Sequence, residues 1–425
     1  MELRDDVYNS YVNILKEELV PAMGCTEPIA LAYAAAKARN ILGTKPDRIV
    51  IGASGSIIKN VKSVIVPNTD HLKGIPAAVV AGVIAGKSEK ELEVISEVTK
   101  SEIEEMKSYI DNTDIKVNYI DNGLTFDIDI TVYAGVESAN VRIAVYHTNI
   151  VHMEKNGKVI FDVPVEGESE EGLTDRSTLS VKNICKFADV LDTKDVEEVL
   201  ERQIAYNTAI ALEGLNGEYG ACVGKTMLEA YGDNVRVRAT AMAAAASDAR
   251  MSGCELPVII NSGSGNQGIT CSLPVLEFAK EIKADKDLIY RALTVSNLVA
   301  IHLKTGIGRL SAYCGAVTAG AAAGAGIAYI NGGDYAVVAH TVVNALASVS
   351  GMVCDGAKAS CAAKIASSVD AAILGYEMYK HGRQFKGGDG IIEKGVENTI
   401  ENVGRLGKDG MKKTNEEIIN IMVGC

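Results

Sequence analysis

Four cysteines stand where a thiolate could do chemistry. Cys314 lies in Tyr313-Cys314-Gly315-Ala316, Cys354 in Val353-Cys354-Asp355-Gly356, and Cys361 in Ser360-Cys361-Ala362. Cys25 lies far upstream, in Gly24-Cys25-Thr26-Glu27-Pro28. Three thiolates can hold an iron–sulfur cluster and leave one iron open, and a fourth can move a proton. That set would eliminate a group from a small amino acid. Spacing alone does not force this reading. The tightly spaced ferredoxin run is absent, and a buried inert thiol is the ordinary alternative.

The elements around these thiols bear on the choice. On an unbroken helix Cys354 and Cys361 would share a face but stand about 10 Å apart along the axis. Asp355-Gly356 is a turn dipeptide, so the chain is expected to bend there and to start a helix near Lys358. Cys314 precedes an Ala/Gly-rich helical run, and Thr26 can cap a helix that tolerates Pro28 in its first turn. Cys25, Cys314 and Cys361 would then lie at helix N-termini, where the dipole lowers a thiol pKa. Cys185, Cys222, Cys254 and Cys271 read as inert core thiols. Cys425 ends the chain after Gly424. It is either a frayed tail or a side chain that folds back to cap an open iron.

A second candidate follows the apolar run Pro257 to Ile260. Asn261 to Gly268 reads NSGSGNQG. Its backbone N–H groups and the short donors of Ser262, Ser264, Gly265 and Asn266 suit a substrate carboxylate, against the plain alternative of a turn-rich loop. Arg250 could grip a carboxylate with both arms, although a salt bridge to a neighbour is the expected role. Gly220 to Thr226 resembles a phosphate-binding loop, but Tyr219 replaces its first glycine, and Lys225 is expected in a first helical turn. The six histidines lack metal-ligand spacing. His302 and His340 read as satisfied core residues, and His71 as a loop residue without a partner.

Helical spacing covers residues 6–20 and 29–42. Short β-branched runs follow in IVIGASG and VKSVIV, then helices at 76–85 and 90–110, then strands in IKVNYI, TFDIDITVYA, ANVRIAVYHTNIVHMEK and KVIFDV. The acidic stretch between Val165 and Ser180 lacks apolar periodicity and marks a boundary. Beyond it the chain reads as helices broken by glycine. The expected fold class is α+β. N-terminal helices (1–45) carry Cys25 and pack on a catalytic domain. An α+β domain (46–165) holds a mixed or antiparallel sheet, and an all-helical catalytic domain spans 181–425.

A formal charge of −13 argues against nucleic acid or an anionic membrane as partner. The charged front end lacks a signal-peptide core, so a cytoplasmic protein is expected. The apolar run Ala316 to Ile330 is too short to span a bilayer, which takes about 20 residues. The expected partner is a small amino acid. A homo-oligomer is compatible with the sequence, which fixes no number of copies.

Together, PAMGCTEP, NSGSGNQG, AYCGAVTAG and GMVCDGAKASC resemble the motifs of the iron–sulfur L-cysteine desulfidases, relatives of the alpha chain of iron–sulfur L-serine dehydratases. The resemblance runs over most of the chain and is strongest from Asp248 to Lys364. It implies a 4Fe–4S cluster on Cys314, Cys354 and Cys361, with Cys25 as proton acceptor. It also implies breakdown of L-cysteine to sulfide, pyruvate and ammonia without pyridoxal phosphate, and it adds interest to Cys425 as a fourth ligand. Serine dehydration is the nearest alternative. A pyridoxal-phosphate lyase, with Lys225, Lys304 or Lys358 as the Schiff base, and a non-enzymatic iron–sulfur or sulfur carrier remain open.

Overall fold

The computed structural model describes residues 4–22, 24–165, 173–308 and 310–423. Cys425 therefore lies outside the described residues. Six strands form one sheet: β1 (Arg48–Ser54), β2 (Asp114–Ile120), β3 (Asp127–Ala134), β4 (Glu137–Ala144), β5 (Ile150–Lys155) and β6 (Lys158–Asp162). Their order is β2-β1-β3-β4-β5-β6, with β1 and β2 parallel and every other pair antiparallel. The sheet is thus mixed. Alternate residues Ile49 and Ile51, Ile128, Ile130 and Val132, and Val141 and Ile143 are fully buried, as a strand with one face in a core requires. That face packs against the Thr26–Leu42 and Gly74–Ala85 helices.

Before residue 165 the fold departs from the sequence pattern in three places. VKSVIV (61–66) is no strand: Val61 closes a helix over 55–61, a turn follows, and Ile65 keeps only an isolated bridge to Lys73. The helix expected over 90–110 breaks at Glu91, whose φ is 46°, and resumes at Lys100. There Thr99 and Glu102 build a reciprocal cap. The N-terminal helices also separate. Tyr11, Ile14 and Leu15 join the helical core, while Ile29 to Leu42 belong to the core of the sheet, although all were expected on the helical part.

Helices dominate from Val181 onward. Gly315–Ile330 lies at the centre, in contact with the Gly265–Ile282, Lys286–Ile307, Tyr335–Val349 and Cys361–Lys380 helices. Its residues are buried nearly all round, which explains an apolar run that resembles a membrane span. Among the described residues no helix is long and apolar enough to cross a membrane. The Gly265–Ile282 helix was missed because NSGSGNQG reads as loop, yet Gly265 already opens the helix.

One small pairing joins the two parts of the chain. Pro21–Ala22 runs antiparallel to Val258–Ile259. Three residues beyond Ala22 comes Cys25, and just beyond Ile259 comes the Asn261–Ser264 turn. The Thr26 hydroxyl then donates to the Gly263 carbonyl at 2.9 Å. Two segments more than 230 residues apart are pinned side by side.

Candidate active site

One cavity is lined by Cys25, Cys314, Cys354 and Cys361 together with Ser262, Ser264 and Asn266. Gly265 stands behind its wall. A side chain there would meet the Arg250 Nε at 2.3 Å, so glycine lets the helix start press against the guanidinium. Seven of the eight predicted site residues that are described therefore line a single space. A larger cavity of about 460 Å³ adjoins it, sharing Ser262, Lys304, Leu310 and Ser311. It contains none of the four thiols and reads as an approach to the smaller one.

The thiols are positioned by backbone. An isolated antiparallel bridge joins Tyr313 to Val353, with Cys314 N–H donating to Met352 O at 3.2 Å and Cys354 N–H to Ala312 O at 2.6 Å. Cys314 and Cys354 are thus adjacent on paired segments. After Cys354 the chain turns at Gly356 (φ 94°), where a Cβ would lie 2.4 Å from the Lys59 carbonyl. Only glycine suits both the conformation and the approach. The turn delivers Cys361 as the first residue of its helix, a little later than the expected start near Lys358. Cys25, not Thr26, is the N-cap of its helix, and Cys314 is the N-cap of Gly315–Ile330.

Four helices therefore begin at this cavity, at Thr26, Gly265, Gly315 and Cys361, and no side chain caps any of them. Their free N–H groups and positive dipole ends favour bound negative charge. Two lysines add to it. Lys59, almost fully buried, donates to the Cys354 carbonyl at 3.4 Å and to Asn415 at 2.6 Å. Lys364 donates to the Val353 carbonyl at 2.9 Å and is also ion-paired with Asp355.

The expectation of lowered thiol pKa values is corrected. Burial pushes the Cys25 thiol well above its usual value, and the Glu27 carboxylate raises it further. Burial and then the neighbouring Cys354 push Cys314 up to about 12, and burial raises Cys361. Desolvation outweighs the helix dipole here.

Glu27 was missed as a working residue, although CTEP places it two positions after Cys25. The Cys25 thiol donates to Glu27 Oε2 at 2.9 Å, and Asn60 Nδ2 donates to Oε1 at 2.8 Å. Burial opposes the Glu27 charge, but the charge of His147 and the bonds from Cys25, its own N–H and Asn60 outweigh it. Its pKa lies below the ordinary carboxylate value. His147 enters from the turn between β4 and β5, packed edge-on against Phe126 at 4.8 Å between centroids. No sequence signal marked it, because its carboxylate partner lies on a distant helix. His302 and His340, expected in the core, are half-buried: His302 bonds Glu397 at 2.6 Å and His340 stacks on Tyr379.

Among the described residues no three His, Cys, Asp or Glu side chains close around a single metal ion. A cluster of several irons needs its thiols set further apart than one ion does. The Cys314–Cys354–Cys361 set, all sulfur and faced by uncapped helix starts and two lysines, fits such a group.

The sequence matches the family described as the serine dehydratase alpha chain over residues 89–420. The chain belongs to that family. The matched stretch carries His147, Arg250 and three of the four thiols, while Cys25 and Glu27 precede it. A UPF0597 protein of Desulfitobacterium hafniense is 61% identical over 423 residues, covering 100% of this chain and 98% of that protein. Similar proteins of Lachnoclostridium phytofermentans and Treponema denticola are 51% and 48% identical, covering 98% and 100% of this chain and 100% of each protein. This member of the serine dehydratase alpha-chain family thus aligns with them over nearly its whole length.

Proposed function

We propose that this chain is a lyase that eliminates sulfide from L-cysteine to give pyruvate and ammonia. Cys314, Cys354 and Cys361 would hold a 4Fe–4S cluster. The observation that carries the reading is the convergence of four cysteines, distant in sequence, on one cavity. When bound, such a cluster supplies a Lewis-acidic iron that weakens the bond to the leaving group.

The chain's own residues supply the proton transfers. Glu27, ionised below the ordinary carboxylate range, accepts the hydrogen bond of the Cys25 thiol at 2.9 Å and orients its sulfur in the cavity. Once deprotonated, Cys25 takes the α-proton of the substrate as general base. The electron pair of that C–H bond forms the Cα–Cβ double bond as the β-carbon loses sulfide. The aminoacrylate product tautomerises to an imine, which water hydrolyses to pyruvate and ammonia. The helix start at Ser264–Asn266 holds the substrate in place.

The family description favours a second reading, elimination of water from L-serine by the same groups. Anaerobic purification with measurement of iron, acid-labile sulfide, sulfide release from L-cysteine and ammonia release from L-serine distinguishes the two. Full lyase activity in iron-free protein would overturn both.

A further inference from the structure

The cavity holds an inventory of polar atoms that nothing in the protein satisfies. Arg250 closes the Val235–Met251 helix and is 3% exposed. Its Nε is buried without a hydrogen-bond partner. The salt bridge expected with a neighbour is absent: Asp248 instead accepts from the Gly224 N–H at 3.1 Å. Glu27, the one acid among the residues described as lining the cavity, is engaged by Cys25 and Asn60. A buried guanidinium without a counter-ion costs several kcal/mol, so it persists where a ligand completes it. Beside it the uncapped start of the Gly265–Ile282 helix adds more positive potential.

Two acceptors have the opposite need. Asn60 gives its amide N–H to Glu27, leaving Oδ1 buried and unbonded. Asn266 directs its amide N–H at Met251 Sδ, 3.6 Å away, and its Oδ1 is likewise buried and unbonded. Both residues line the cavity. A ligand that satisfies all three must carry an anion for the guanidinium and at least two N–H or O–H donors for the amide oxygens. A carboxylate with an α-ammonium does both. A 2-hydroxy acid has one donor for two acceptors, and a dicarboxylate has none.

We propose that Arg250 anchors the carboxylate of an α-amino acid and that the amide oxygens of Asn60 and Asn266 receive its ammonium group. This deepens the reading above and rests on it for the identity of the amino acid. It also divides the 262–266 turn: Asn266 faces the ammonium end.

Calorimetric titration of the full-length, cluster-free chain tests it, with L-serine, L-alanine, propionate and L-alaninamide as probes. The wild type should bind L-serine and L-alanine more tightly than propionate or the amide. Arg250→Met should weaken both acids about 100-fold, the loss of two charge-assisted hydrogen bonds, and leave the amide unchanged. Asn266→Leu should narrow the preference for L-alanine over propionate. The melting temperature of Arg250→Met should equal or exceed the wild type, because an uncompensated buried charge has been removed, and Arg250→Lys should recover part of the affinity. A lowered melting temperature, an equal loss for acid and amide, or no amino-acid binding by the wild type would overturn the assignment. Sulfide release by the cluster-loaded enzyme with unchanged L-serine binding in Arg250→Met would sink this inference alone. Amino-acid binding that requires Arg250, with no lyase activity in the loaded enzyme, would sink the lyase reading alone.

Discussion

Replacing Glu27 by Gln keeps the shape of the side chain and removes its charge. In the protein the Cys25 Sγ lies 2.9 Å from Glu27 Oε2, and after burial that carboxylate is the largest influence holding the thiol protonated. A like charge at such range raises a pKa by roughly one to three units. Gln removes the repulsion and can donate an N–H to a thiolate, so the apparent pKa of Cys25 should fall. At a pH below both values the thiolate fraction should rise at least about tenfold, the lower end of what a like charge at contact imposes. The assay is alkylation of the cluster-free protein from pH 6 to pH 11, with the Cys25 peptide followed by mass spectrometry. Burial still raises the thiol in the variant, so the comparison is of rate at equal pH. An unchanged rate, or a slower one, would refute the electrostatic coupling between Cys25 and Glu27.

Other perturbations follow from the same geometry. Cys25→Ala should retain iron and acid-labile sulfide after anaerobic reconstitution but lose turnover, whereas Cys361→Ala should lose both; iron analysis beside a sulfide-release assay checks the pair. A methyl at Gly82 would lie 2.1 Å from the Ala32 carbonyl, so Gly82→Ala should force apart the helix that Cys25 caps and destabilise by about 1–3 kcal/mol. A melting temperature equal to wild type would contradict that packing. Arg142 grips the fully buried Asp127 with two hydrogen bonds of 2.9 and 2.7 Å. Arg142→Met should therefore cost about 3–5 kcal/mol in urea unfolding, since it strands a buried carboxylate. For Glu397, burial opposes the charge but His302 and the Val181 N–H outweigh it and lower the pKa from 4.5. The lowered value means its stabilisation is complete above pH 4.5 and is lost as pH falls below it. The urea midpoints of wild type and Glu397→Gln should differ near pH 6 and converge in acid; a constant gap would argue against the ion pair.

Local patterns carried much of the architecture. Alternation in Ile128–Val132 fixed one strand, since a period of two can bury only one face. The Ala/Gly run 315–330 read as a buried helix, and Asp355-Gly356 as the turn that separates two cysteines. Periodicity failed at residues 61–66, where a β-branched stretch too short to decide between elements forms a turn and one isolated bridge. It failed again at Glu91, where one left-handed residue breaks an otherwise helical pattern.

The sequence by itself determined which residues could act: thiols beside helix starts, a donor-rich turn, and a net charge unsuited to nucleic acid. Tertiary structure alone decided which of them meet. The Pro21–Val258 pairing sets Cys25 against the 262–264 turn, and the β4–β5 turn brings His147 to Glu27. The burial that results reverses the thiol pKa shift that helix position alone implied. Desolvation and charge pairing depend on distances through space, and spacing along a chain does not encode them.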